Sequence, residues 1–418
     1  MSASRRCSAA VAILLAACAS RTRVVTPNAA AAWQNDLAFV VKSVTSGHPQ
    51  PFHSMSEADF NRVANELNQS IPRLPRHRII VRIGELIAAV GDGHTRFPWP
   101  WNPADLGFHV LPVELEFFSD GLYVTAASAP FADIVGSRVI AIGDTRVDEA
   151  LRRLTPVISR DNRYGIERIA KRLLTVPEVL DAERIAPLRN KVRVTFEKNF
   201  QTREILLPAI LANQAPSLTS FHQLHGTKLP LHRSSPDRFY WQSTLGDGSI
   251  YAEINSVSNQ PGYATLPVFC EQLLAAVDRG APRVIVDLRH NGGGSRELML
   301  PCVEGLAARE SVNRPDRLYV VIGGETFSAA LWTALDFKNR TRASFLGEPT
   351  AGCPNFYGET RRAETPEKHI PFTWASRMNW RTDRNDMREA LVPDRVIRES
   401  FADYSSGRDL VLEAIVTP

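Results

Sequence analysis

From residue 248 onward, short apolar runs alternate with segments of helical spacing. The pattern predicts strands over 249–254, 283–288, 318–322 and 343–346, and helices over 268–277, 295–308 and 328–337. The runs 283–288 and 318–322 are apolar almost throughout, as parallel strands buried on both faces are. This alternation predicts an α/β domain around a central sheet. The pattern upstream is different. Phe60, Val63 and Leu67, then Ile80, Ile83, Ile87 and Val90, recur at helical spacing, so 33–96 reads as mostly helical. The last of these helices stops at Gly91-Asp92-Gly93. A Trp- and Pro-rich stretch, 98–103, marks a boundary. Short alternating strands follow over 110–118, 121–126, 139–142, 192–196 and 203–207, with a helix over 147–154. Residues 208–246 show no clear periodicity and read as a solvated linker. The linker holds His222, His225 and His232, whose spacing outside a clear helix is weak evidence for a metal.

Composition then narrows the class. A chain of 418 residues suggests two or three domains. With 44% apolar and 22% charged residues it is neither disordered nor fibrous. Lys and Arg number 49 against 45 Asp and Glu, an excess too small and too dispersed to argue for nucleic acid. Arg5 and Arg6 precede an apolar run over 9–17, too short to cross a bilayer, which takes about 20 residues. It reads as a signal peptide. Its end, Leu15-Ala16-Ala17-Cys18, resembles the bacterial lipobox. The resemblance implies cleavage before Cys18, lipidation of its sulfur, and a body on the periplasmic side of the envelope, anchored at the outer membrane. An ordinary secretory signal or an uncleaved anchor is the alternative. Of five cysteines, Cys270, Cys302 and Cys353 then remain, and Cys270 could pair with Cys302. No CxxC and no close His/Cys set suggests zinc. No cofactor is implied.

Two segments carry the candidate chemistry. In VIVDLRHNGGG, residues 284–294, a strand runs into three glycines and then a helix. Glycines let the backbone approach a ligand closely, and N–H groups at a helix start cradle an anion. No GKS or GKT follows, and contiguous glycines fail the dinucleotide fingerprint. In YVVIGGETFSAALWTALDF, residues 319–337, a buried strand meets Gly323-Gly324 and Ser328 opens a helix. A serine on a strand-to-helix turn has the logic of a nucleophile elbow, without the GxSxG spacing. The plain alternative is that Ser328, or Thr326 before it, caps the helix.

DLRHNGGG, then ETFSAA, then TRASFLGEPTAG, and finally ALVPDRVI at 390–397 together resemble the tail-specific, or C-terminal processing, serine peptidase family. The resemblance covers about residues 33–400. It implies a ClpP/crotonase-like α/β catalytic domain over 247–418, preceded by a helical N-terminal region over 33–102, a PDZ-like α+β domain over 103–207 and the linker 208–246. Residues 1–18 would be the signal with its lipobox and 19–32 a tether. VGSRVIAIGDTRV, at 135–147, looks like the strand–turn–helix of a PDZ-like domain. By motif position Ser328 would be the nucleophile, with oxyanion donors at the backbone N–H groups of Gly293 and Ala329. The substrate would be a peptide or protein.

The chain also departs from the pattern. Family members with a Ser–Lys dyad carry the lysine 25 residues after the serine, and here that position is Cys353. The acidic residue that some members carry between them falls on Asn339. A serine without a base is a poor nucleophile. AAVGDGHTRF, at 88–97, resembles the tricorn-like branch, which draws a histidine from an upstream segment. His94 would then be the general base. That branch has a serine before the histidine, and here it is Gly93. The orienting carboxylate is expected near the closing motif, with Glu389 first and Asp386 second. His48 is expected in a rigid loop beside the site, His290 at a variable position near substrate, and Trp99, Trp101, Trp374 and Trp380 at a core or domain seam. Two other readings stay open: a catalytically inactive peptide- or ligand-binding member of the same fold, and an esterase-like hydrolase using the same residues.

Overall fold

The computed structural model describes residues 26–97 and 102–416. The signal segment, Cys18, Trp99 and Trp101 lie outside the described residues. The chain enters through helices α1 (Pro27–Gly47), α2 (Glu57–Ser70) and α3 (Arg76–Ala88). Thr26 caps α1 with its hydroxyl and Pro27 occupies the first turn, where its missing N–H costs nothing. The tether expected over 19–32 is therefore helical from Pro27. Ser56 caps α2 in the same way.

An antiparallel sheet follows: β1 (Val113–Phe118), β2 (Gly121–Ala127), β3 (Arg138–Ile142), β4 (Lys191–Lys198) and β5 (Gln201–Pro208), in that spatial order. Helices α4 (Val147–Leu154) and α5 (Ile166–Leu173) lie between β3 and β4. This module does not have a core of its own. Leu37, Ile80, Ile83 and Ile87 from the N-terminal helices pack with Val124, Val139 and Val194 of the sheet and with Phe372 from far downstream. Each such side chain contributes about 1.5–3 kcal/mol on burial. The regions expected as separate, 33–102 and 103–207, are one packed unit.

The second unit is built on a six-stranded sheet: β6 (Tyr240–Thr244), β7 (Ile250–Ile254), β8 (Val284–Asp287), β9 (Leu318–Ile322), β10 (Ser344–Gly347) and, across the last edge, Arg395–Val396. Only β6 runs antiparallel to its neighbour. Residues 208–246 are thus not a plain linker, since β6 belongs to this sheet. Strand side chains alternate between faces. Leu318, Val320 and Ile322 meet the helices Leu266–Asp278, Leu300–Ala307 and Ala329–Arg340 on one face. Tyr251, Ile285 and Val321 meet Val411 and Ile415 of the C-terminal helix on the other. Cys270 and Cys302 form a disulfide between the first two of those helices. In the closing motif, Asp394 accepts the Phe345 N–H (2.8 Å) and pairs with Lys338 (2.7 Å), pinning the last strand to β10. A hairpin, Phe356–Glu364 with Pro371–Asn379, had no counterpart in the periodicity and reaches from this sheet back to the first unit.

Candidate active site

Ser328 is placed by the turn after β9. Thr326 Oγ1 accepts the Gly323 N–H and donates to the Leu288 carbonyl, at 2.9 and 2.8 Å. Phe327 N–H donates to the Asn291 carbonyl (3.1 Å). The two predicted segments are thereby tied to each other. Ser328 itself sits at φ 55°, ψ −125°, a conformation costly for a residue with a side chain. Its hydroxyl makes no capping bond, so it is free of the structural role that competes with chemistry. The glycine run lies against it. At Gly293, with φ +118°, a Cβ would come 2.8 Å from the Ser328 Cβ, and at Gly294 a Cβ would come 2.1 Å from the Val257 carbonyl oxygen. These two positions accept no side chain.

His94 comes from the other unit. The turn that ends α3 folds Asp92 back, and its Oδ1 accepts the N–H groups of His94 and Thr95 at 2.8 and 2.7 Å. The far hairpin holds the next residues: Thr373 Oγ1 donates to the His94 carbonyl, and Arg96 exchanges both main-chain bonds with Thr373. The outcome is His94 Nε2 at 3.0 Å from Ser328 Oγ, across 234 residues of sequence. The imidazole packs against Phe327 and Phe356, with ring centroids 4.7 and 5.2 Å away. Gly93 is required here as well. A Cβ on it would lie 2.7 Å from the Phe327 ring, so the serine of the tricorn-like pattern would displace that ring.

Burial pulls the His94 pKa down to about 4, against the favourable charge of Asp92, and Arg96 and Arg168 lower it further. His94 is therefore neutral at neutral pH and can accept a proton. Its Nδ1 is out of solvent and has no hydrogen-bond partner in good geometry. The Tyr357 main-chain carbonyl faces the ring and favours its charged form.

The expected carboxylate is elsewhere. The Glu389 side chain is exposed and 3.6 Å from Arg163. Asp386 is bound to Arg388 at 2.6 Å, which holds it below the usual carboxylate range. Neither serves His94, because Glu389 points to solvent toward Arg163 and Asp386 is committed to Arg388. Gly293 also differs from expectation. Its N–H already donates to Asn291 Oδ1 at 2.9 Å, so it reaches an oxyanion only if that bond is given up. The Ala329 N–H opens its helix and has no intrahelical acceptor. Cys353 is half-buried, and burial with Asp161 nearby pushes its thiol up to about 12.

His48 lies beside the site as expected, 3.2 Å from Asp92. His290 bonds His232 (2.8 Å) and faces Glu325, and both histidines line a polar cavity of about 550 Å³ at the carboxyl ends of the strands. His222 bonds Thr227 instead, so the three linker histidines do not converge. Trp374 packs at the seam between the units, and Trp380 is largely exposed. Sequence reasoning missed Asp161, whose Oδ1 accepts the Gly93 N–H (2.6 Å), and Phe356 in the unpredicted hairpin.

The arrangement is a strained serine, a neutral imidazole within hydrogen-bond reach and a free helix-terminal N–H, which together can activate a hydroxyl and hold an oxyanion. The fold is one already seen in solved structures. Mature CPAF in complex with lactacystin superposes with a TM-score of 0.62 at 14% identity, over 90% of this chain and 96% of that one. A CPAF mutant superposes with a TM-score of 0.62 at 13% identity, over 93% and 98%. The chain thus has the CPAF fold, mixed helix and sheet, over nearly its whole described length. No family model matches the sequence, and no curated protein does.

Proposed function

We propose that this chain is a serine peptidase of the tail-specific family, of the branch that uses a histidine base. The observation that carries the reading is the 3.0 Å approach of His94 Nε2 to Ser328 Oγ. In this scheme Ser328 Oγ attacks the scissile carbonyl and His94 takes its proton. The Ala329 N–H, with a donor from the glycine run, holds the oxyanion. His94 returns the proton to the leaving amine, and water then hydrolyses the acyl-enzyme by the same path. A thiol held to about 12 by burial rules Cys353 out as a replacement for the dyad lysine.

The finer assignments belong to the same proposal. The first sheet, with α4 after β3, supports a PDZ-like module that takes a peptide end along an edge strand. The second unit supports the ClpP/crotonase-like assignment through its parallel sheet and the glycine loop at the strand ends. The Cys270–Cys302 disulfide supports an oxidising, extracytoplasmic compartment, in line with a lipid anchor at Cys18.

A fluorophosphonate probe on the body after Cys18 tests the core of this reading. Labelling of the intact protein, abolished in Ser328→Ala and slowed by about ten-thousandfold in His94→Ala, is the expected result. A well-folded protein that takes no label would instead favour a non-catalytic binding role for the fold.

A further inference from the structure

An imidazole base needs a third group to hold it in place, and no carboxylate touches His94 Nδ1. The restraint comes from the backbone instead. The dipeptide Asp161-Asn162, in the bend between α4 and α5, reaches three active-site segments. Asp161 Oδ1 accepts the Gly93 N–H at 2.6 Å, one residue before His94. The Asp161 carbonyl accepts the Cys353 thiol at 3.6 Å. Asn162 Nδ2 donates to the carbonyls of Thr350 (3.0 Å) and Glu389 (2.6 Å). Asn162 Oδ1 caps the turn that follows by accepting from Tyr164 and Gly165.

The packing around Asp161 is close. A Cβ on Gly93 would lie 3.1 Å from its Oδ1, and one on Gly352 would lie 3.3 Å from its Oδ2. Oδ2 is out of solvent and has no hydrogen-bond partner. The charged groups facing the carboxyl are Asp92 from the His94 turn and Arg168 from α5. Burying a carboxylate oxygen without a partner costs stability. A residue held so, with its one bond directed at the turn bearing the base, is explained by what that bond does.

We propose that Asp161 is the positioning residue of His94, holding the 91–95 turn against the serine loop through the Gly93 N–H. The role rests on the peptidase reading, because it matters to chemistry only if His94 is the base. Burial, with the Asp92 charge beside it, pushes the Asp161 carboxyl up to about 7, so at pH 8 it is mostly ionised and is a short acceptor that binds the turn more firmly than a neutral group would. Loss of the acceptor lets His94 drift from Ser328, and a misplacement of about 1 Å costs about a hundredfold in rate.

Ring-¹⁵N shifts of histidine-labelled protein, read beside fluorophosphonate labelling at pH 8, test this on the whole body of the protein. Ser328→Ala supplies the reference for a His94 Nε2 that has lost its partner. In Asp161→Ala the His94 Nε2 resonance should move to the Ser328→Ala position, with labelling about a hundredfold slower. Asp161→Asn keeps an acceptor and should hold the wild-type resonance, with labelling within about tenfold of wild type. If the alanine variant does not fold, Asp161→Leu fills the space without an acceptor and takes its place. A His94 resonance unmoved by loss of the acceptor overturns the proposal, whatever the labelling rate. Absence of labelling in wild type overturns the peptidase reading, while the resonance still decides for or against Asp161.

Discussion

The serine half and the histidine half of the site are held in different ways. Ser328 sits in a turn whose bonds, from Thr326 to Gly323 and Leu288 and from Phe327 to Asn291, all lie within one sheet and its loops. His94 is held by Asp92 in its own turn and by groups from Asp161 and Thr373, which come from two remote parts of the chain. The first half is rigid through local geometry. The second depends on two packed units keeping their register. A catalytic pair built this way can lose its base by a small shift between units while the nucleophile stays in place.

Removing each partner gives the sharpest contrast. Ser328→Ala should abolish fluorophosphonate labelling, while His94→Ala should slow it by about ten-thousandfold and leave a residual rate from the oxyanion donors. Equal, complete loss in both would mean that the halves are less independent than their bonding suggests. Gly293→Ala and Gly93→Ala then probe the two loops. The first forces a Cβ against Ser328 itself and should cost about a hundredfold in labelling. The second presses on the buried Phe327 ring that stacks on His94 rather than on the serine itself, and should cost about tenfold, with a destabilisation of about 1–3 kcal/mol in denaturant melts.

A pH profile isolates the histidine half. Because burial holds His94 to about 4, its own titration should lower labelling only below about pH 5, while protonation of Asp161 near 7 should weaken the Gly93 bond and lower labelling by no more than about tenfold between pH 8 and pH 6. The same shift has a sign for stability. Between the ordinary value of 6.5 and about 4, the unfolded chain takes up the proton first, so the His94 contribution to stability falls as pH falls through that range. A labelling limb near pH 6.5 that persists in Asp161→Asn would show that the imidazole is solvated and the Phe327–Phe356 wall open. The smallest effect is expected at the vacant lysine position: Cys353→Ala should leave labelling within about twofold, since a buried neutral thiol transfers no proton.

Much of the serine half was legible in residue order. The strands 284–287 and 318–322 and the helix from Ala329 lie where the apolar runs and glycines put them, because each is a local pattern read over a few residues. His94 was reached through a motif resemblance and the missing lysine. Glu389 was misassigned by nearness to the closing motif, and its side chain faces solvent. The hairpin with Phe356 escaped notice because nine-residue strands of mixed exposure carry little alternation. Asp161 lies between the helix over 147–154 and the strand over 192–196, where the pattern predicts no element.

By itself, then, the order of residues determined which turns could exist: glycines at 293–294 for close approach, and an Asp-Gly-His stop after a buried helix. Those are properties of neighbours, set by backbone sterics and burial periodicity. Only the tertiary structure decided that Nε2 of His94 meets Oγ of Ser328, that a serine at 93 would press on Phe327, and that Asp161 rather than Glu389 is the remote carboxylate at the His94 turn. These are distances between remote segments, and they follow from how two hydrophobic cores pack together, which no local pattern encodes.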